Sequence, residues 1–134
     1  MSAATCLPAL GRLLIALIFV MSGLAKISAP ANTIAYIQSA GLPLAPVAFG
    51  VATIVELIGG FALIAGYHTR ITAAALAIFT LMAACAFHNN LADQNQMIHF
   101  MKNIAITGGL LQVVAFGAGA FSLDHRRKPL SAAA

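Results

Sequence analysis

Charge is the scarcest commodity in this chain. Of its 134 residues only 7% are charged, three acidic against seven basic, and tryptophan is absent. Ordinary soluble domains carry about 25% charged residues, so this chain cannot cover itself with a polar, water-facing surface. Its net charge of +4 reflects the shortage of acids rather than a basic patch, which argues against a nucleic-acid partner. Cysteine is nearly as scarce. Cys6 precedes the first apolar stretch and Cys85 lies near the far end of the third, too far apart for a disulfide. With no C-x-x-C present, the chain does not relay electrons through its own dithiol. Haem-type histidine pairs, a nucleotide loop and a nucleophile motif are missing as well. His88 and His99 have no third ligand at a recognisable spacing, so no metal site is read here.

What is present is apolar. Hydrophobic residues make up 61% of the chain and mean hydropathy is +0.96. Lipid is therefore the expected solvent, and at about 20 residues per span the length suits four spans with no second, soluble domain. The first runs from about Leu10 to Ile27. It is read as a retained span rather than a signal peptide, because no positive charge precedes Arg12 and the small-residue pattern Ala29-Pro30-Ala31 carries a central proline. The others are about Val47–Gly66, Ile71–Phe87 and His99–Gly119. Residues 28–46, with Pro30 near a helix start, Ile34 and Ile37 on one face and Gly41 as a stop, form either a short interfacial helix or a plain loop.

Short connections make the expected fold class all-α, an integral membrane four-helix bundle running up-down-up-down. Residues 1–125 form a single membrane domain and 126–134 a polar tail, with the chain from Phe121 onward expected to be partly disordered. Arg12, Arg70, Arg126, Arg127 and Lys128 collect on one side of the spans, Lys26 and Lys102 on the other. This five-to-two bias places both termini in the cytoplasm. Small residues should mediate helix packing. Gly59-Gly60 and Gly108-Gly109, at similar places in the second and fourth spans, suggest two related hairpins, with Ala73, Ala77 and Ala84 lining the third span.

The most informative exception to all this apolarity is Glu56. It lies nine residues into the second span, about 14 Å deep at 1.5 Å per residue. A charge there costs roughly 2.5–3.5 kcal/mol on insertion scales, so the carboxylate should face the bundle and meet a cation or a buried donor. Candidate partners are Lys26, Lys102, Asn103, His88 and His99, with Lys102 ~9 Å shallower on the same rise estimate. Two readings stay open: a buried ion pair that fixes helix register, or a ligand or proton site. Lys26 by itself is expected to snorkel to the interface, and Arg12 likewise, although its place just inside the span lets it point inward. His88 and His99 could meet across the mouth of the bundle. Asp93 and Asp124 are expected in water.

An arginine opening the first span, SGLAK at Ser22–Lys26, Glu56 followed by Gly59-Gly60, Gly66-x-x-x-Arg70, Lys102-Asn103 and GAGAFSLD at Gly117–Asp124 together resemble the DoxX family of small four-helix membrane proteins. The pattern covers about Leu10 to Asp124 and is similar to the DoxD subunit of thiosulfate:quinone oxidoreductase. The resemblance implies a bacterial inner-membrane protein in a redox or oxidative-stress complex. It also implies quinone as cofactor, the bilayer and a soluble redox protein as partners, and self-association as an open question. Glu56 and Lys102 would be the catalytic pair of a polar pocket. Lys26, Asn103, Arg12 and His99 would bind the cofactor. Whether the chain is itself an enzyme or only a subunit is not decided by these residues. The rival readings are a small proton-coupled transporter using Glu56, although small multidrug transporters carry their glutamate in the first span, and a non-catalytic scaffold subunit.

Overall fold

The computed structural model describes residues 3–127, in which six helices and no strand occur. They are α1 (Ala3–Ser28), α2 (Pro30–Ser39), α3 (Ala45–Ala65), α4 (Thr69–Phe87), α5 (Gln94–Phe116) and α6 (Leu123–Arg126). Lys128 and the remainder of the expected polar tail lie outside the described residues. Four of these helices, α1, α3, α4 and α5, are long and apolar enough to cross a membrane, and they form a bundle in which successive long helices run antiparallel. Packing is closest within two hairpins, α1 with α3 and α4 with α5, joined mainly through α3 and α4.

Each boundary has a local cause. Residues 30–39 form the helix rather than the loop: Pro30 supplies a preset φ at its first position. Ile37 is buried, and Tyr36 stacks on Phe87 at the end of α4 with ring centroids 5.3 Å apart. Gly66 ends α3 in the left-handed conformation at φ 67°, so that its N–H reaches Leu63 O and the Tyr67 N–H reaches Ala62 O. That paired bonding satisfies two of the carbonyls a helix C-terminus leaves open. Asp93 caps α5, accepting from the Gln96 N–H at 2.9 Å. The cap starts α5 at Gln94, five residues ahead of the expected start of its span.

The core is narrow and built from small residues and leucines: Ala16, Phe19, Leu63, Ala73, Leu76, Ala77 and Leu110. Side chains on the outer faces, such as Leu14, Ile58, Ile78 and Leu111, are exposed apolar groups, the arrangement expected when hydrocarbon is the solvent. The buried hydroxyls of Thr53, Thr80 and Thr107 donate to the carbonyls of Phe49, Leu76 and Asn103, four residues back in each case. No hydroxyl among these three is left to face lipid unpaired.

Candidate functional site

Two polar clusters interrupt the apolar bundle, at opposite ends of the α1/α3 hairpin. The first is built on Glu56 of α3, only 5% exposed. Lys26 of α1 places its Nζ 2.8 Å from Glu56 Oε2 and donates to Oε1 at 3.0 Å. Ser22, four residues before Lys26 and so on the same helical face, donates to Oε1 at 3.1 Å and accepts from Lys26 Nζ at 2.9 Å. The three side chains close a triangle of hydrogen bonds within the helix interface. Oε2, apart from its ionic contact with the ammonium, accepts no hydrogen bond.

Close helix approach makes this triangle possible. A Cβ at Gly23 would lie 2.7 Å from the Leu57 side chain, and one at Gly60 would lie 2.8 Å from Val20 Cγ2 and 3.3 Å from the Val20 backbone nitrogen. Glycines at these two levels bracket Glu56 and let the backbones of α1 and α3 come together. Both members of the Gly59-Gly60 pair are used: Gly59 faces the other way, where its Cβ would meet Leu76 of α4 at 2.8 Å. Of the matching pair in α5, only Gly109 lies close to another helix, against Ile15 of α1, whereas Gly108 faces open space.

Lys26 therefore turns inward to the carboxylate instead of snorkelling, because a buried carboxylate offers its ammonium more than the interface does. Lys102, on α5, is exposed, and Asn103 is half-buried with its backbone carbonyl accepting from Thr107. α5 packs on α4, away from the α1/α3 interface that holds Glu56, so the structure does not bring Lys102, Asn103 or His99 to the carboxylate. His88 and His99 do meet at the α4–α5 end of the bundle, stacked with centroids 5.0 Å apart. Burial, then the nearby His99 charge, lowers the His88 pKa.

The second cluster centres on Arg12, 1% exposed and turned fully inward. Its Nη1 donates to Leu63 O at 2.8 Å and, more weakly, to Ile64 O at 3.4 Å, while Nη2 donates to Phe121 O. The guanidinium thus serves the open carbonyls at the C-terminus of α3, where a cation also complements the helix dipole. Asp124 does the converse for α4. Its carboxylate accepts from the His68 and Thr69 N–H groups, each at 2.8 Å, placing an anion at that helix's N-terminus. His68 is held there at φ 42°, a left-handed conformation costing about 1–2 kcal/mol in a non-glycine residue. The Asp124 N–H donates to Gly66 O at 2.9 Å, and Ser122 caps α6 by accepting from the His125 N–H. Partial burial raises the Asp124 pKa, but hydrogen bonds from Thr69 and His68 and the neighbouring His68 charge outweigh it, so the net shift is downward.

Of the tail expected to be partly disordered, Phe121 to Asp124 is docked against the α3–α4 turn, and Asp124, expected in water, is half-buried and tied to two backbone amides. Ser122, Asp124 and Gly66 were not identified as a unit from the sequence. The available signal was that GAGAFSLD and the Gly66–Arg70 turn both combine glycine with polar groups at the same end of the bundle. Arg12 is occupied by backbone carbonyls, although its Nε is buried with no hydrogen-bond partner. Two cavities also lie at this end: an apolar cleft of about 440 Å³ between α1 and α5, and a more polar hollow of about 600 Å³ beside His68, Arg70 and Asp124. Glu56 lines neither.

Comparison with known proteins gives a consistent result. The family model described as DoxX matches residues 7–89. The inner membrane protein YqjF of Escherichia coli strain K12 is 37% identical over 116 residues, covering 85% of this chain and 86% of that protein. The inner membrane protein YphA of the same strain is 31% identical over 122 residues, with 87% of each chain covered. No solved structure matches the chain.

Proposed function

This chain belongs to the DoxX family, a multi-pass protein of the inner membrane like its relatives, and we propose that it acts as the membrane subunit of a quinone-linked oxidoreductase, with Ser22, Lys26 and Glu56 as its polar site. The observation that carries this reading is a glutamate with 7% of its side chain exposed beside a lysine that keeps 21% of its side chain accessible. That asymmetry gives a buried proton acceptor a path to the outside through its partner.

The residues fit a quinone in a limited sense. Lys26 donates hydrogen bonds to Ser22 and Glu56 Oε1 and lies 2.8 Å from Oε2, so a carbonyl oxygen would compete with the carboxylate for one of the three ammonium N–H groups. A bound quinone would supply two-electron chemistry that consumes two protons, with electrons from a soluble redox protein. Lys26 would orient the carbonyl oxygen, Glu56 would relay the two protons one at a time, and Ser22 would hold both side chains in register. Lys102, Asn103 and His99 belong to this proposal as polar groups on α5, outside contact with Glu56. Both termini are proposed to be cytoplasmic, on the five-to-two lysine and arginine bias; a C-terminal reporter active only outside the cytoplasm would reverse that assignment.

A packing role for the same triad has its own support, since the two charges neutralise each other and neither of the two cavities described above is lined by Glu56. Thermal unfolding of the purified chain with a short-tailed quinone separates the readings. A quinone-dependent rise in Tm that Glu56→Gln abolishes is the expected result. No rise in wild type, with poorer assembly of the variant, would assign the triad to packing. Substrate-driven proton movement in proteoliposomes that the variant abolishes, with no response to quinone, would assign a transporter.

A further inference from the structure

The Arg12 end of the bundle holds a second site of different chemistry. α1 and α5 touch far less than the partners within each hairpin do, and α5 is the least covered of the four spans. The cleft between them is lined by Gly11, Ile15, Gly109 and Phe116 and reaches Gly117 at the end of α5. Gly109 to Gly117 is eight residues, about 12 Å of helix, so the cleft runs along the bundle from its end toward its middle. Its lining is mainly apolar, although Gln112 and the buried Arg12 also line it.

A second cation stands at the mouth. The Arg70 guanidinium lies over Gly117, where a Cβ would be 3.3 Å from Arg70 Nε. Arg70 is exposed and, among the described residues, in no ion pair. It also borders the polar hollow of about 600 Å³ that opens beside the cleft. Asp124 shares that hollow, but both its oxygens are taken by the His68 and Thr69 amides. An apolar slot along the membrane normal with an unpaired cation at its interfacial mouth matches one class of molecule.

We propose that the α1/α5 cleft holds one acyl chain of an anionic membrane phospholipid, with its phosphate on Arg70. The acyl chain fills the apolar groove, and the Arg70 guanidinium selects the negative headgroup.

The test uses the full chain purified in a neutral detergent, read by native mass spectrometry and thermal unfolding with added phosphatidylglycerol or phosphatidylcholine of identical acyl chains. Wild type should retain phosphatidylglycerol about tenfold more strongly than phosphatidylcholine, the worth of one charge-assisted hydrogen bond, and gain Tm with it. Arg70→Gln should erase that preference. Gly11→Leu should abolish retention of both lipids while leaving lipid-free Tm at or above wild type, because a Cβ at Gly11 meets nothing within 4 Å. Glu56→Gln should leave lipid retention unchanged, so the outcome is independent of the quinone reading. Equal retention of the two lipids by wild type, or undiminished retention by Gly11→Leu, would overturn the proposal. So would a quinone that occupies the cleft, is blocked by Gly11→Leu and is indifferent to Arg70→Gln.

Discussion

The two polar clusters of the α1/α3 hairpin solve the same problem, a charge inside lipid, by opposite means. Arg12 is neutralised chiefly by dipoles: it donates to the Leu63 carbonyl at the end of α3, which the Gly66 N–H also reaches, and to the Phe121 carbonyl before α6. Glu56 is neutralised by a full counter-charge on the neighbouring helix. An arginine serving backbone carbonyls has no mobile partner and holds three chain segments together. A glutamate paired with lysine can exchange a proton or yield its partner to a ligand. The first arrangement suits a structural clasp and the second suits a working site.

Removing Arg12 should therefore do the most damage. Arg12→Met strands the Phe121 carbonyl and removes one of the two donors to Leu63 O, and losing these hydrogen bonds from a charged group should cost about 3–5 kcal/mol, read as a large Tm loss in detergent. Arg12→Lys should rescue only part of it, since one ammonium cannot span the guanidinium's fork of donors. The Glu56 pair should break asymmetrically. Lys26→Met leaves a carboxylate buried without its cation and should cost about 2–4 kcal/mol, whereas Glu56→Gln leaves a lysine that can snorkel outward and should cost roughly half as much. Equal losses from the two variants would show that exposure does not distinguish the partners.

Gly60→Ala tests how the pair is held. Its added methyl meets the Val20 backbone as well as its side chain, so α1 and α3 must separate, with a cost of about 1–3 kcal/mol and a lengthened Lys26–Glu56 contact. Gly108→Ala, facing open space, should be neutral or slightly stabilising.

The smallest effects concern pH, and they should differ between the bundle's ends. Asp124 has a folded-state pKa below the ordinary aspartate value, so its contribution is complete above that value and is lost as pH falls from there through the lowered pKa. Asp124→Asn should remove this acid-side loss. His88 also has a lowered pKa, and for a base this means that the unfolded chain takes the proton first. Stability at the α4–α5 turn should accordingly be complete above the ordinary histidine range and decline as pH falls through it. Hydrogen exchange at Asn89 to Gln96 should quicken over that interval in wild type and not in His88→Phe.

Much of this was legible in the residues. Hydropathy and length locate four spans because backbone hydrogen bonding in lipid leaves few alternatives. Glu56 stood out because a mid-span carboxylate is costly. Its partner was less legible. Lys26 and Lys102 both lie within plausible reach by helical rise, which measures depth but not direction around the helix axis. The Ser22–Lys26 spacing of four held a clue, since it marks one face of α1. The docking of Phe121–Asp124 was hidden more deeply, because its bonds run to backbone amides and carbonyls whose availability depends on where α3 ends and α4 begins.

The sequence by itself determined that this is a four-span membrane protein with one buried carboxylate, because partition into lipid depends on composition summed along the chain. Tertiary structure alone decided that Lys26 and not Lys102 meets Glu56, that Arg12 is a clasp, and that α1 and α5 leave a cleft. These depend on which helix faces are in contact, and that is settled by where glycines allow backbones to approach.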